Sequence, residues 1–239
     1  MPLPLGLSYR RVLIDAELAG LAPALRGVVV EVGAARVPRG RFTPPVGRVR
    51  RWLRVNVDPA ARPDVVADAA ALPLRGASAD WVVCVEVLQY VASPDAALRE
   101  AARVLAPAGA VVLAVPFLHR ADGPTDRHRF TETRVRELLE GAGLRVDTVS
   151  AQGLFFGTLA NQARQAAAHI GARPLRWLAA AGLVPLAALL MGLDRLGAVR
   201  RSSFLASFTT GYVAVGRKES SVVAAGRPRA TAASRTPSP

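Results

Sequence analysis

Short runs of branched, apolar residues recur along this chain with helix-like sequence between them, and that alternation restricts the fold more than any other feature. Residues 28–32 (VVVEV), 52–57 (WLRVNV), 81–85 (WVVCV) and 110–115 (AVVLAV) have the length and side-chain type of strands in a buried parallel sheet. Residues 144–150 and 211–216 (GYVAVG) supply two later strands. Between the third and fourth runs, residues 93–105 (SPDAALREAARVL) predict a helix, with Ser93 at the cap, Pro94 in the first turn, Asp95 near the positive end and apolar residues at helical spacing. Residues 131–141 (TETRVRELLEG) predict another, capped by Thr131 and stopped at Gly141. Strands alternating with helices require a mostly parallel sheet covered on both faces, an α/β fold.

At 239 residues and 51% hydrophobic, the chain suits one domain with one core. The lone Cys84 excludes an intrachain disulfide framework and a cysteine-rich zinc site, so no metal centre is expected, and its apolar run reads as a buried thiol. The formal charge of +13 would suit an anionic partner. It is almost entirely arginine in an alanine-rich chain, and with 5% aromatic residues there is little of the stacking surface that single-stranded nucleic acid requires. A nucleic-acid partner is therefore not expected. The amino-terminal stretch has no basic segment leading into a long apolar one, which predicts a cytoplasmic protein rather than a secreted one. Residues 219–239, rich in small residues and proline without periodicity, read as a disordered tail to a domain spanning 1–218.

In open sheets of this kind, ligands bind beyond the carboxyl ends of the strands. After the first strand stand Glu31, Gly33 and Ala34, where small residues let the backbone approach a ligand closely. Asp58 follows the second run in RVNVDPA, a place from which a carboxylate can accept both hydroxyls of a ribose. Asp68 comes ten residues later, just before Leu72-Pro73, where a carboxylate can take the exocyclic amine of an adenine.

This ordered set resembles the class I S-adenosylmethionine-dependent methyltransferases, in particular the small-molecule branch often labelled type 11. The resemblance runs over residues 27–150 and resumes at 211–218, and it extends to ALREAARVLAPAGAVVLAVP, with a turn expected at 107–109. It implies a three-layer Rossmann-like sheet of seven strands, the last antiparallel, with S-adenosylmethionine across the strand ends. By the same analogy Glu31, Gly33 and Ala34 line the methionine side, Asp58 holds the ribose, Asp68 and Ala69 contact adenine, and Glu86 closes the pocket. Two departures stand out. The family's glycine-rich loop is here EVGAARVPRG, with alanine at the second glycine position, where a positive φ would be penalised. Tyr90 stands where many relatives carry histidine, which removes one base. A nicotinamide dehydrogenase would need G-x-G-x-x-G, and that spacing is absent.

The acceptor side should follow the strand at 110–115, in VPFLHRADGPTDRHRFT, which resembles a stretch of methyltransferases from glycan and cell-envelope gene neighbourhoods. His119 is the candidate catalytic base for an oxygen acceptor. Asp126 and Arg129 read as a structural ion pair, and His128 and His169 as surface or packing residues. The expected activity is methylation of a small-molecule or lipid- or glycan-linked acceptor on oxygen. The alternative is a catalytically inactive binding or scaffold protein with the same sheet.

Residues 152–208 are longer than a connection between the last two strands needs and predict a hydrophobic helical insertion. Residues 177–193 hold no charge, contain Pro185, and are bracketed by arginines; a span needs about 20 apolar residues. Three readings stay open for 173–201: short helices packed as a lid, a hairpin resting peripherally on the inner face of the cell membrane, or a span.

Overall fold

The computed structural model describes residues 8–37, 40–45 and 47–220. Seven strands form one sheet: β1 (Gly27–Val32), β2 (Val49–Asn56), β3 (Val65–Val66), β4 (Ala79–Val85), β5 (Leu105–Pro116), β6 (Leu144–Ala151) and β7 (Gly211–Lys218), in the order β3-β2-β1-β4-β5-β7-β6. Adjacent pairs from β3 to β5 are parallel, and β7 runs antiparallel to both β5 and β6. The strand order reverses between β1 and β4, which places a cleft at their carboxyl ends.

Alternation along the strands divides the core into two faces. Val30, Val82, Val111 and Leu113 point to the side covered by α2 (Pro94–Val104) and α3 (Glu132–Gly141), where they meet Leu98, Leu138 and Leu139. Val29, Val83, Val112 and Val213 point the other way, onto Ile14 and Leu18 of α1 (Tyr9–Leu21). The expected caps form, since the Ser93 hydroxyl accepts from the Ala96 amide and the Thr131 hydroxyl from the Arg134 amide. The turn expected at 107–109 is instead part of β5. Its extra length is taken up by Ala108 at φ 61° and a register shift against β4.

The insertion is helical: α4 (Phe155–Ala168), α5 (Arg173–Leu193), α6 (Gly197–Arg201) and α7 (Ser203–Ala206). α4 leans on α1, and α5 packs along α4, joined by a small cluster of Tyr9, Ala160 and Ala187 with Leu190 and Met191 against it. The first residues of α4 have no side-chain cap of their own. Asp194, just past α5, fills that role from across the hairpin, its carboxylate accepting from the amides of Leu154 (2.8 Å), Phe156 (3.1 Å) and Gly157 (2.8 Å). Among the described residues no helix is long and apolar enough to cross a membrane, which removes the span reading. The main partner of α5 is α4, and Tyr9 of α1 reaches Ala187 beside it. Of the tail expected at 219–239, residues 221–239 lie outside the described residues.

Candidate functional site

The turn after β1 depends on one glycine. Gly33 has φ +72°, its amide donates to the Val55 carbonyl (2.7 Å), and a β carbon there would stand 2.2 Å from a methyl of Val87. The non-glycine residues with positive φ among the described residues are Arg62, Ala77, Glu86 and Ala108, and neither Ala34 nor Ala35 is one of them. Alanine in this loop therefore carries no left-handed penalty, which is why the sequence dispenses with the second glycine.

A cavity of about 650 Å³ opens at the strand ends, lined among others by Gly33, Asn56, Asp68, Ala69, Glu86 and Tyr90. Asp68 holds its own loop, one carboxylate oxygen accepting from the Ala70 amide (2.8 Å). The Leu72-Pro73 turn that follows is pinned by α2: Glu100 accepts from the Leu72 amide, and Arg103 donates to the carbonyls of Leu72 and Leu74. Two features read separately in the sequence, the Asp68 loop and the α2 motif, are thus one construction.

Other assigned residues are placed differently. Glu31 and Ala34 line a narrow neighbouring recess of about 60 Å³, where the Glu31 carboxylate accepts from the Trp52 indole N–H (2.7 Å). Asp58 lies beyond the end of β2, exposed, its carboxylate capping the turn at Pro59–Ala61 through the Ala60 amide. Its neighbours Asn56 and Val57 line the large cavity and Asp58 itself does not. Asn56, which sequence reasoning passed over, donates to the Ala34 carbonyl (2.9 Å) and accepts from the Asp58 amide (3.0 Å), tying the two loops together.

Glu86, Tyr90 and Asp122 form a wall shared with a second cavity of about 400 Å³, whose far side is built by Arg10, Arg11, His119 and Arg164. Glu86 has φ 57° and pairs with the buried Arg10 at 2.5 Å. Left-handed backbone at a non-glycine residue is costly, and here the ion pair holds it in place. The Tyr90 hydroxyl donates to Asp122 (2.8 Å). Burial and that bond push the phenol up to about 12, so Tyr90 remains a protonated donor near neutral pH. His119 lines the 400 Å³ cavity and an adjoining one of about 570 Å³, not the 650 Å³ one. Burial first, then the charges of Arg10, Arg129 and Arg120, hold its imidazole below the usual range, against the opposing pull of Glu86. Its Nδ1 is buried without a hydrogen-bond partner. A neutral imidazole carries one unprotonated nitrogen, the group a proton acceptor needs. The loop that carries it is fixed by Asp126 and Arg129, joined by two bonds of 2.6 Å, with Arg129 also donating to the Arg120 carbonyl. The expected structural role of that pair matches this geometry. His128 packs on Phe130 and bonds the Val91 carbonyl, as expected, whereas His169 lines both the 400 Å³ and the 570 Å³ cavity.

Comparison with known proteins bears on this architecture. A family profile described as "Methyltransferase domain" matches residues 48–113, which run from β2 into β5 and include Asp58, Asp68, Ala69 and Glu86. Among solved structures, the chain is similar to a Bacillus halodurans C-125 protein described as a candidate methyltransferase (14% identity, 86% of this chain and 99% of that one, TM-score 0.55). An S-adenosylmethionine-dependent methyltransferase from Archaeoglobus fulgidus also aligns (13%, 87% and 94%, TM-score 0.51). So does the [4+2]-cyclase SpnF (20%, 86% and 82%, TM-score 0.53). The chain has the class I S-adenosylmethionine-dependent methyltransferase fold. No curated protein sequence matches it. Within this methyltransferase fold the profile covers the Asp68 loop and the Glu86 wall, while Gly33, His119 and the α4–α5 hairpin fall outside it.

Proposed function

We propose that the chain is an S-adenosylmethionine-dependent methyltransferase acting on oxygen of a small-molecule or lipid- or glycan-linked acceptor. The observation that carries this reading is the 650 Å³ cavity at the strand ends, where Gly33, Asp68, Ala69 and Glu86 meet. Its volume suits a nucleoside-sized ligand. When bound, S-adenosylmethionine supplies an electrophilic methyl group. Gly33 offers a backbone edge without a β carbon, and Asp68 offers a carboxylate to an adenine amine. Asp58 follows the lining residue Val57 and has one carboxylate oxygen beyond the Ala60 bond to offer a ribose hydroxyl. Across the wall, His119 takes the proton of the acceptor hydroxyl, and the Tyr90–Asp122 pair orients it.

Asp68→Ala is expected to weaken S-adenosylhomocysteine binding by about 1–3 kcal/mol, the cost of an unpaired polar partner, with little change in the melting temperature of the free protein. Calorimetric titration beside thermal melts reads both. Unchanged affinity would remove Asp68 from the site, and an equal loss of ligand-free stability would make it a loop cap only. A binding role without methyl transfer is the second reading, supported by the engagement of Glu31 with Trp52 and by a cyclase that has this same fold.

We also propose that α5 rests on an anionic lipid surface. Leu175, Leu178, Leu186 and Leu189 recur at helical spacing on the side facing solvent, with Leu178 72% and Leu189 62% exposed. Trp177 and Phe204 are exposed as well, and so are Arg195, Arg200 and Arg201 in the stretch after α5. Apolar contact framed by arginine is complementary to an acidic interface. The wild-type chain should float with phosphatidylglycerol vesicles, and Leu178→Glu with Leu189→Glu should release it without lowering its melting temperature. A wild type that never floats, or a variant that floats equally, sinks the idea; a concentration-dependent dimer abolished by the same changes would assign the face to a second copy.

A further inference from the structure

We propose that the 400 Å³ cavity beyond the Glu86–Tyr90 wall selects an acceptor bearing a phosphate ester, held by Arg11 and Arg120. The assignment of this cavity to the acceptor rests on the methyltransferase reading; its preference for anions rests on its own side chains. Four arginines, Arg10, Arg11, Arg120 and Arg164, face two carboxylates there, Glu86 and Asp122. The partner of Arg11 is Asp15, one turn along α1 and not part of the lining, so its charge is set back from the cavity. Arg10 is 2% exposed, and its Nε–H is buried without a hydrogen-bond partner, a donor already desolvated on the cavity wall. The 13-residue α1 begins at this point, with Ser8 at its cap and no acidic residue in its first turn, so the positive end of the helix adds to the field. Arg164, 3% exposed, sits with its guanidinium 4.9 Å from the Tyr9 ring centre, fixed by the protein fold.

Arginine is the side chain suited to a phosphate, because its planar fork meets two oxygens at once. Arg120 is the most exposed member, more than half open to solvent and paired with Asp122, which also receives the Tyr90 hydroxyl. A phosphate that draws Arg120 inward thereby acts on the residue that orients the hydroxyl to be methylated. The rest of the acceptor has room in the 570 Å³ cavity, which shares His119, Arg120, Gln165 and His169 and runs on past Leu118.

The test is calorimetric titration of the full chain with glucose 1-phosphate, with dihexanoyl phosphatidic acid and with glucose, each with and without saturating S-adenosylhomocysteine. Both phosphate esters or one should bind, and glucose should not. Binding of the sugar phosphate alone assigns a soluble acceptor, and binding of the lipid alone assigns a lipid headgroup. Arg120→Gln should weaken the ester about tenfold or more while its affinity for S-adenosylhomocysteine stays within about twofold, and Arg11→Gln, whose side chain also lines the 60 Å³ recess beside Gly33, should weaken the ester to a similar degree. The proposal fails if neither ester binds, if either variant binds the ester equally well, or if S-adenosylhomocysteine competes with the ester, which would make the cavity the carboxylate end of the cofactor site. Absence of S-adenosylhomocysteine binding alone would count against the methyltransferase reading, and the titrations without it still report on the anion site.

Discussion

Replacing Arg10 with alanine is expected to destabilise the protein by about 3 kcal/mol, the lower end of the range for breaking a buried ion pair, because Glu86 keeps 20% of its side chain open to solvent. For a domain of this size that corresponds to a melting temperature about 6–12 °C lower. Arg10 reaches across the molecule: Nη2 to Glu86 at the end of β4, Nη1 to the Thr210 hydroxyl (3.4 Å) before β7, and its amide to Asn161 of α4 (3.2 Å). The Thr210 hydroxyl in turn donates to the Gln152 carbonyl after β6. Space for the guanidinium exists because residue 211 is glycine, where a β carbon would lie 2.1 Å from Nη1. The loss has two sources, a half-buried carboxylate left without its counter-charge and a missing side-chain tie between α1 and the sheet, while the backbone bond to Asn161 remains. Adding Glu86→Gln to Arg10→Ala removes the first source and should recover part of the lost stability. Arg10→Lys should recover little, since one ammonium cannot span both partners. Melts of the three variants that coincide with wild type would show that the network contributes nothing.

The sheet was legible because burial on both faces leaves its mark residue by residue. Residues 28–32, 81–85 and 110–115 became β1, β4 and β5, and the cap at Ser93 and the one at Thr131 begin α2 and α3 as expected. β3 was not legible: two residues, Val65 and Val66, carry no periodicity to read. β2 starts earlier than expected, at Val49, because the exposed Arg50 and Arg51 of its first half hide the strand in a run of charge. The amino-terminal helix α1 was not assigned at all, and with it went Arg10, whose partner Glu86 is 76 positions away. No local spacing links the two. Tyr90 was counted as the loss of a histidine, since its value depends on Asp122, brought to it by the loop after β5. In the insertion, composition identified an apolar excess but not its direction. Leu190 turns inward toward the small cluster on α4, while Leu186 and Leu189 turn outward.

The second large effect is expected at Gly33. An alanine there would be held in the left-handed region at about 1–2 kcal/mol, and its β carbon would press on Val87, a branched side chain with little freedom to move. Overpacking of that kind adds about 1–3 kcal/mol, so a total near 3 kcal/mol is expected. The displaced groups are the loop after β1 and Val87, both of which line the 650 Å³ cavity, so ligand affinity should fall along with stability. Calorimetric titration of S-adenosylhomocysteine into the wild-type chain, with Gly33→Ala beside it at a temperature where both are folded, tests the central claim most directly. The account predicts one saturable site on the wild type with micromolar affinity, on the order of −8 kcal/mol, and binding at least about tenfold weaker in the variant. A well-folded wild-type protein that takes up no S-adenosylhomocysteine, or a variant that binds it equally well, would contradict it.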